Sequence, residues 1–210
     1  MVAGVEAPPA RRRRRALPPL EPLSPAALSV SFRPLRRDDL ARLRDWLNEP
    51  HVAAWWGAGT GPDGLGGAGD DAATLPAVEA AYGPALDGID PTANYVIVVD
   101  GAPVGLIQWY RLGDYPDYAA AIREADGAGI DLLIGDPSMV GRGLGPTVID
   151  RFVTEVVFAL SDVPRCVTGP DPENTRSVRA FERAGFRWVR DAVVPDNPGR
   201  EHVMVRDRAD

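Results

Sequence analysis

The chain has 210 residues, 45% of them hydrophobic, and carries a net charge of −7. That is enough apolar material for one globular domain with a buried core, yet no run reaches the roughly 18 apolar residues of a membrane-spanning helix. Cys166 is the only cysteine, which excludes an intrachain disulfide, and the acidic balance argues against a nucleic-acid partner and for a cationic one. The competing reading of that charge is that it only keeps the protein in solution. The basic N-terminal stretch is not followed by an apolar run, so a reducing cytoplasm is the expected compartment.

Residues 1–28 are rich in Pro, Ala and Arg and show no periodicity. They are expected to form a disordered extension, with Arg11 to Arg15 as a solvated tail and contact with an anionic surface or RNA as the alternative. The domain proper spans 29–210. Residues 29–34 alternate as a strand does, with Val30 and Phe32 on one face. Asp38 or Asp39 is placed to cap a helix in which Leu40, Leu43, Trp46 and Leu47 recur at helical spacing. Residues 51–56 read as a short helix or turn, with His51 packing or capping. The glycine-rich run 57–71 reads as a mobile loop and 75–86 as a helix.

Residues 95–99 and 103–111 form the arms of a hairpin turning at Asp100-Gly101. Residues 112–128 read as a polar connection and 129–134 as a central strand. An amphipathic helix follows over 146–160, then a short strand over 166–168. A helix over 175–184 is stopped by Gly185, and 186–194 with 202–205 closes the chain as an antiparallel pair. Strands alternating with helices in the middle and paired strands at either end predict an α/β (α+β) fold. It has one mixed sheet of about six to seven strands with helices on both faces.

Val140-Gly141-Arg142-Gly143-Leu144-Gly145 lies between the central strand and the helix that follows it. Glycines at such a junction leave backbone N–H groups pointing outward, and the helix start adds its positive dipole end, which together suit a pyrophosphate. A P-loop requires Gly-Lys-Ser/Thr, and the chain contains no lysine. A dinucleotide fold places its glycines in the first strand–helix unit with an acid about 20 residues on. Here the turn comes late, after hairpin strands, which leaves an acyl-CoA site.

These residues resemble the Arg/Gln-x-x-Gly-x-Gly/Ala signature of GNAT acetyltransferases, with Val140 in place of Arg or Gln. The stretch from Asn174 through Phe181 to Ala184-Gly185-Phe186 is similar to the same family. The blocks Trp46-Leu47-Asn48-Glu49-Pro50-His51 with Trp55-Trp56-Gly57, Tyr82-Gly83-Pro84, Gly105 to Tyr110 and Gly129-Ile130-Asp131 resemble its aminoglycoside 6′-N-acetyltransferases, over residues 30–206. The resemblance implies the GNAT fold and transfer of acetyl from acetyl-CoA to a primary amine of a small cationic substrate, best matched by an aminoglycoside. Acylation of a siderophore lysine, polyamine or peptide is the alternative, as is a non-catalytic binder of drug or CoA. A monomer or homodimer is expected, with neither membrane nor nucleic acid as partner.

The resemblance assigns acetyl-CoA to Val140, Gly141, Arg142, Gly143, Leu144, Gly145 and Pro146, and to Leu132, Leu133 and Ile134, whose strand pairs with the pantetheine arm. It adds Asn174, and Phe181 where many relatives carry the tyrosine that protonates the departing sulfur; phenylalanine has no proton to give. Asp131 is the expected anchor and base for the attacking amine. Its neighbours Ile130 and Leu132 face the other side of the strand, an ordinary aspartate near about 3.9 needs desolvation to act as a base, and a salt bridge to arginine is the competing reading. Trp56, Tyr82 and Tyr118 offer flat surfaces to a sugar or cation, with packing as the alternative. Gln108 is placed to bond a substrate hydroxyl. Asp171 and Asp196 either face the substrate amines or serve their turns. Gly169 stands where that group of enzymes carries an acid. No metal site is expected.

Overall fold

The computed structural model describes residues 28–56, 72–194 and 200–209. The Arg11–Arg15 run, the 57–71 loop and Asp196 lie outside the described residues.

The chain forms β1 (Val30–Pro34), α1 (Leu40–Leu47), α2 (Pro50–Trp56) and α3 (Leu75–Leu86), then the hairpin β2 (Ala93–Val99) and β3 (Ala102–Arg111). There follow α4 (Pro116–Ile122), β4 (Ala128–Ile134), α5 (Leu144–Phe152), α6 (Phe158–Leu160), β5 (Arg165–Thr168), α7 (Thr175–Arg183), β6 (Arg187–Val193) and β7 (Arg200–Asp207). The strands make one seven-stranded sheet in the order β1-β2-β3-β4-β5-β7-β6. All neighbours are antiparallel except β4 and β5, so the sheet is mixed, as the strand and helix pattern implies.

Strand alternation sorts the side chains onto two faces. Ile107 and Ile130 pack with Leu144, Ile149, Phe152 and Phe181 beneath α5 and α7. Phe152 seats edge-on between Phe32 and Tyr95, with ring centroids 5.0 and 5.4 Å away. On the opposite face, Val96, Leu106 and Leu133 meet α1 and α3 through Leu43, Leu47, Val78 and Tyr82. Further along that face, Val167, Val203 and Val205 meet α4 through Ala119 and Ile122. Between these two clusters the second face is polar, and Asp131 sits there.

Three local readings are corrected. The segment 112–128 is not merely polar: it contains α4, whose Ala119 and Ile122 are buried. Pro116 begins this helix, where a missing N–H costs nothing. Asp39 stands at the N-cap of α1, but its side chain makes no capping bond there. It is buried and accepts two 2.7 Å bonds from Arg33, and its third bond, from the Arg36 N–H at 3.0 Å, closes the preceding turn. The guanidinium holds its carboxyl below the usual range. Of the two readings of His51, packing holds: its Nε2 lies 2.8 Å from the Ile134 carbonyl oxygen, tying α2 to the end of β4. The helix after the glycine turn starts at Leu144 and passes through a π-helical turn, Val153–Val157, before its last turn.

Candidate active site

β4 and β5 pair only at Ala128 with Cys166 and Gly129 with Val167. β4 then continues through Asp131 to Ile134 beside β3 alone. Backbone groups of a strand alternate between its two sides. Past Gly129 the β5 side of β4 therefore offers donors and acceptors that no strand takes up. Two clefts meet at this split, sharing Trp55, Trp56, Leu132, Asn174 and Ser177 among their walls.

The larger cleft, of about 720 Å³, is bounded by Leu132 to Ile134 on one side and the glycine turn on another. Gly141 and Gly143 hold φ of +79° and +76°, the left-handed region that side chains disfavour. A Cβ at Gly141 would meet nothing within 4 Å, so the turn is open to the cleft. Gly143 is the N-cap of α5 and no side chain caps the helix start, which leaves its first N–H groups available to an anion. Across the cleft, α7 contributes Arg176, Arg179 and Arg183, which helical spacing stacks on one face. A diphosphate and a further phosphate fit this cationic arm, and the parted strand fits an amide-bearing chain.

The smaller cleft has the opposite sign. Asp131 and Asp171 line it, with Trp55, Trp56, Thr168, Gly169 and Phe181. Asp131 is partly exposed to this cleft and accepts a 3.2 Å bond from Gln108 Nε2, its cross-strand neighbour. Burial pushes its carboxyl up to about 6, only slightly offset by that bond. No arginine ion pair holds Asp131 among the described residues, so an ionised carboxylate here has work left for a cationic ligand. Tyr110 stands behind it: a Cβ at Gly129 would overlap the Tyr110 ring, so glycine makes room for it. Burial raises the Tyr110 and Tyr118 hydroxyls well above 10, keeping both protonated as donors. Cys166, on β5, is buried with its thiol pushed up to about 12, so it stays protonated and is no nucleophile.

Most residues expected in the cleft are found there. Leu132, Leu133, Ile134, Val140, Gly141, Gly143, Leu144, Gly145, Pro146 and Asn174 line the larger arm. The Asn174 Oδ1 accepts from the Ser177 N–H at 3.1 Å, so capping α7 leaves its NH₂ as the donor for a ligand. Arg142 is exposed and does not line either cleft. Phe181 is buried, edge-on to Phe186, and reaches the smaller arm. Trp56 borders both arms. Tyr82 is buried in the core under α1 and α3 and lines neither. Asp171 borders the smaller arm while also accepting from the Glu173 N–H at 2.7 Å, so its cleft and turn roles coexist. Gln108 is buried against Asp131, and Tyr118 donates to Glu201 at 3.0 Å. The sequence reading missed the Arg176, Arg179 and Arg183 row, legible in its helical spacing. No cluster of three metal-ligating side chains occurs among the described residues, and no helix there is long and apolar enough to cross a membrane.

A mixed sheet split between its fourth and fifth strands, with a glycine turn at the mouth of the split, is the architecture of an acyltransferase. The model of the acetyltransferase (GNAT) domain matches residues 36–193, and the chain belongs to the GNAT family of acetyltransferases. It is 32% identical over 180 residues to an aminoglycoside N(6')-acetyltransferase type 1 of Klebsiella pneumoniae, covering 85% of this chain and 84% of the relative. It is 29% identical over 188 residues to the lysine N-acyltransferase MbtK of Mycobacterium tuberculosis, covering 86% of this chain and 78% of the relative. Among solved structures, aminoglycoside acetyltransferase AAC(6')-Ib in complex with coenzyme A and kanamycin superposes with a TM-score of 0.71 at 31% identity, over 86% of this chain and 95% of that one. The ribostamycin and coenzyme A complex of AAC(6')-Ib gives 0.73 at 31% identity, over 86% and 94%.

Proposed function

We propose that this chain transfers the acetyl group of acetyl-CoA to the 6′-amine of an aminoglycoside. The observation that carries the reading is the polarity of the split. A cationic arm of glycine-turn amides and α7 arginines leads to the parted strand, and an acidic arm ends at Asp131. The relatives and solved structures named for aminoglycoside 6′-acetylation support the acceptor.

The chemistry asks little of covalent catalysis. The amine nitrogen attacks the thioester carbonyl, a C–N bond forms, the C–S bond breaks, and the amine proton is lost. Orientation across the two arms supplies much of the acceleration. Asp131, ionised above about pH 6, attracts the ammonium and takes its proton directly or through water. Gln108 fixes the carboxylate through Oδ2. The exposed N–H groups of β4 are placed to polarise the carbonyl. With Phe181 where a phenol would serve, the thiolate leaves without a side-chain acid. A thiol that titrates near about 8.5 makes such a departure feasible.

Thiol release from acetyl-CoA tests this with kanamycin, tobramycin, a lysine amide and spermidine as acceptors. Release with the two drugs well above that with the other amines is expected. Preference for lysine or spermidine moves the acceptor to another amine. Drug binding without release identifies a sequestering protein.

A further inference from the structure

The two arms of the split share a wall of Trp55, Trp56, Leu132, Asn174 and Ser177. The glycine turn lines only the larger arm, and Asp131 lines only the smaller one. A thioester held by the first and attacked at the second therefore has its C–S bond at this shared wall. Of its five side chains, Ser177 alone carries a hydroxyl.

That hydroxyl has no structural task. Asn174 is the N-cap of α7, and its Oδ1 accepts from the Ser177 backbone N–H at 3.1 Å, so the helix start does not draw on the Ser177 side chain. Serines in and beside helices commonly bond back to the carbonyl one turn earlier. Ser161 does so here, donating to the Val157 carbonyl at 2.6 Å. The Ser177 Oγ, on a half-buried residue, makes no hydrogen bond among the described residues. Phe181 lies one turn further along α7 on the same face, buried and edge-on to Phe186. Both residues line the smaller arm, so the hydroxyl stands beside an apolar ring, where a hydrogen bond is stronger than in water.

We infer that Ser177 is a catalytic residue of the acetyl transfer, its hydroxyl donating a hydrogen bond to the CoA sulfur as the C–S bond breaks. The C–N bond forms, the electron pair of the C–S bond goes to sulfur, and the amine proton goes to Asp131 or water. Serine keeps its own proton, and the thiolate takes one from water after it has left. The hydroxyl thus stabilises charge where it develops without serving as an acid. The thioester is divided between two walls, its carbonyl oxygen toward the β4 N–H groups and its sulfur toward α7. The inference rests on the acetyl-transfer reading but not on which amine accepts.

The experiment takes the full chain as wild type, Ser177→Ala and Ser177→Thr through two readouts. One is kcat for thiol release at saturating acetyl-CoA and kanamycin. The other is an ultraviolet difference titration of the thiol of CoA bound without acceptor, which follows the thiolate directly. Loss of one hydrogen bond to a charged sulfur predicts kcat about tenfold lower in Ser177→Ala. The bound thiol titrates about one pH unit higher in that variant than in wild type. Ser177→Thr, which returns a hydroxyl, recovers most of both. An unchanged kcat in Ser177→Ala overturns the inference. So does a lower kcat with an unmoved thiol titration, with or without a lowered melting temperature, because the side chain then acts elsewhere or only packs. Wild type that binds CoA but releases no thiol with kanamycin refutes the aminoglycoside reading. The titration then decides alone, and a bound thiol that titrates at the same pH in wild type and Ser177→Ala overturns the inference. Wild type that binds no CoA refutes both.

Discussion

Asp131 lies beside Gln108 and Tyr110 on one face of the sheet, and burial there gives it a proton affinity an exposed aspartate lacks. Its carboxyl is pushed up to about 6, with burial as the main cause. The consequence for stability has a definite sign. The folded chain holds the proton more tightly than the unfolded chain, where the group titrates at the ordinary value of 3.8. Stability is therefore lost as pH rises from about 4 through 6, and the penalty is complete above that window. Asp131→Asn removes it. The variant is expected to melt higher than wild type at pH 7.5, with a gain of up to about 3 kcal/mol, and to show no gain at pH 4. Thermal melts at the two pH values check this, and a variant less stable than wild type at pH 7.5 contradicts it. A more stable protein that has lost its rate is the signature of a group placed for chemistry at a cost to the fold.

At the scale of elements, α7 does two jobs with one amphipathic pattern. Phe181 anchors it to the sheet, while Arg176, Arg179 and Arg183 face the larger cleft. Arg179→Ala is expected to raise the KM for acetyl-CoA about tenfold, as expected for one charged contact. The KM for kanamycin should stay within a factor of about two, a shift well under 1 kcal/mol. Initial rates with each substrate varied in turn decide the matter, and equal effects on both contradict the division of the cleft into two arms. Two elements escaped sequence reading for physical reasons. Pro116 reads as a helix breaker until it is seen to occupy the first turn, where its ring is tolerated. The π-helical turn Val153–Val157 has no sequence signal, because its five residues keep the apolar pattern of the flanking helix. The strands were clearer. Ile130, Asp131 and Leu132 alternate, and that alternation alone places the carboxylate on the face opposite α5.

Over the whole molecule, what was legible in the sequence was local. The glycine turn is a strand-to-helix junction with its chemistry in consecutive residues, and its positive φ angles follow from residue type. Phe181 and Gly169 were visible as departures, but only the fold shows what stands beside them. Glu201 reaches Gly169 through the order of β5, β7 and β6, a juxtaposition that strand periodicity cannot reveal. Tyr82 packs in the core because α3 turns that face toward Val96 and Leu133. The net acidity of the chain is likewise unevenly used: arginines gather at the phosphate arm and carboxylates at the acceptor arm.

The most direct measurement is the pH dependence of kcat/KM for thiol release with kanamycin, in wild type and Asp131→Asn. Wild type should show a rising limb with an apparent pKa of about 6, set by the desolvated Asp131 carboxyl. Asp131→Asn should lose that limb and about 100-fold or more of the rate at pH 7.5, the usual scale of a positioned base. An Asp131→Asn enzyme that keeps both the limb and the rate would contradict acetyl transfer at this carboxylate.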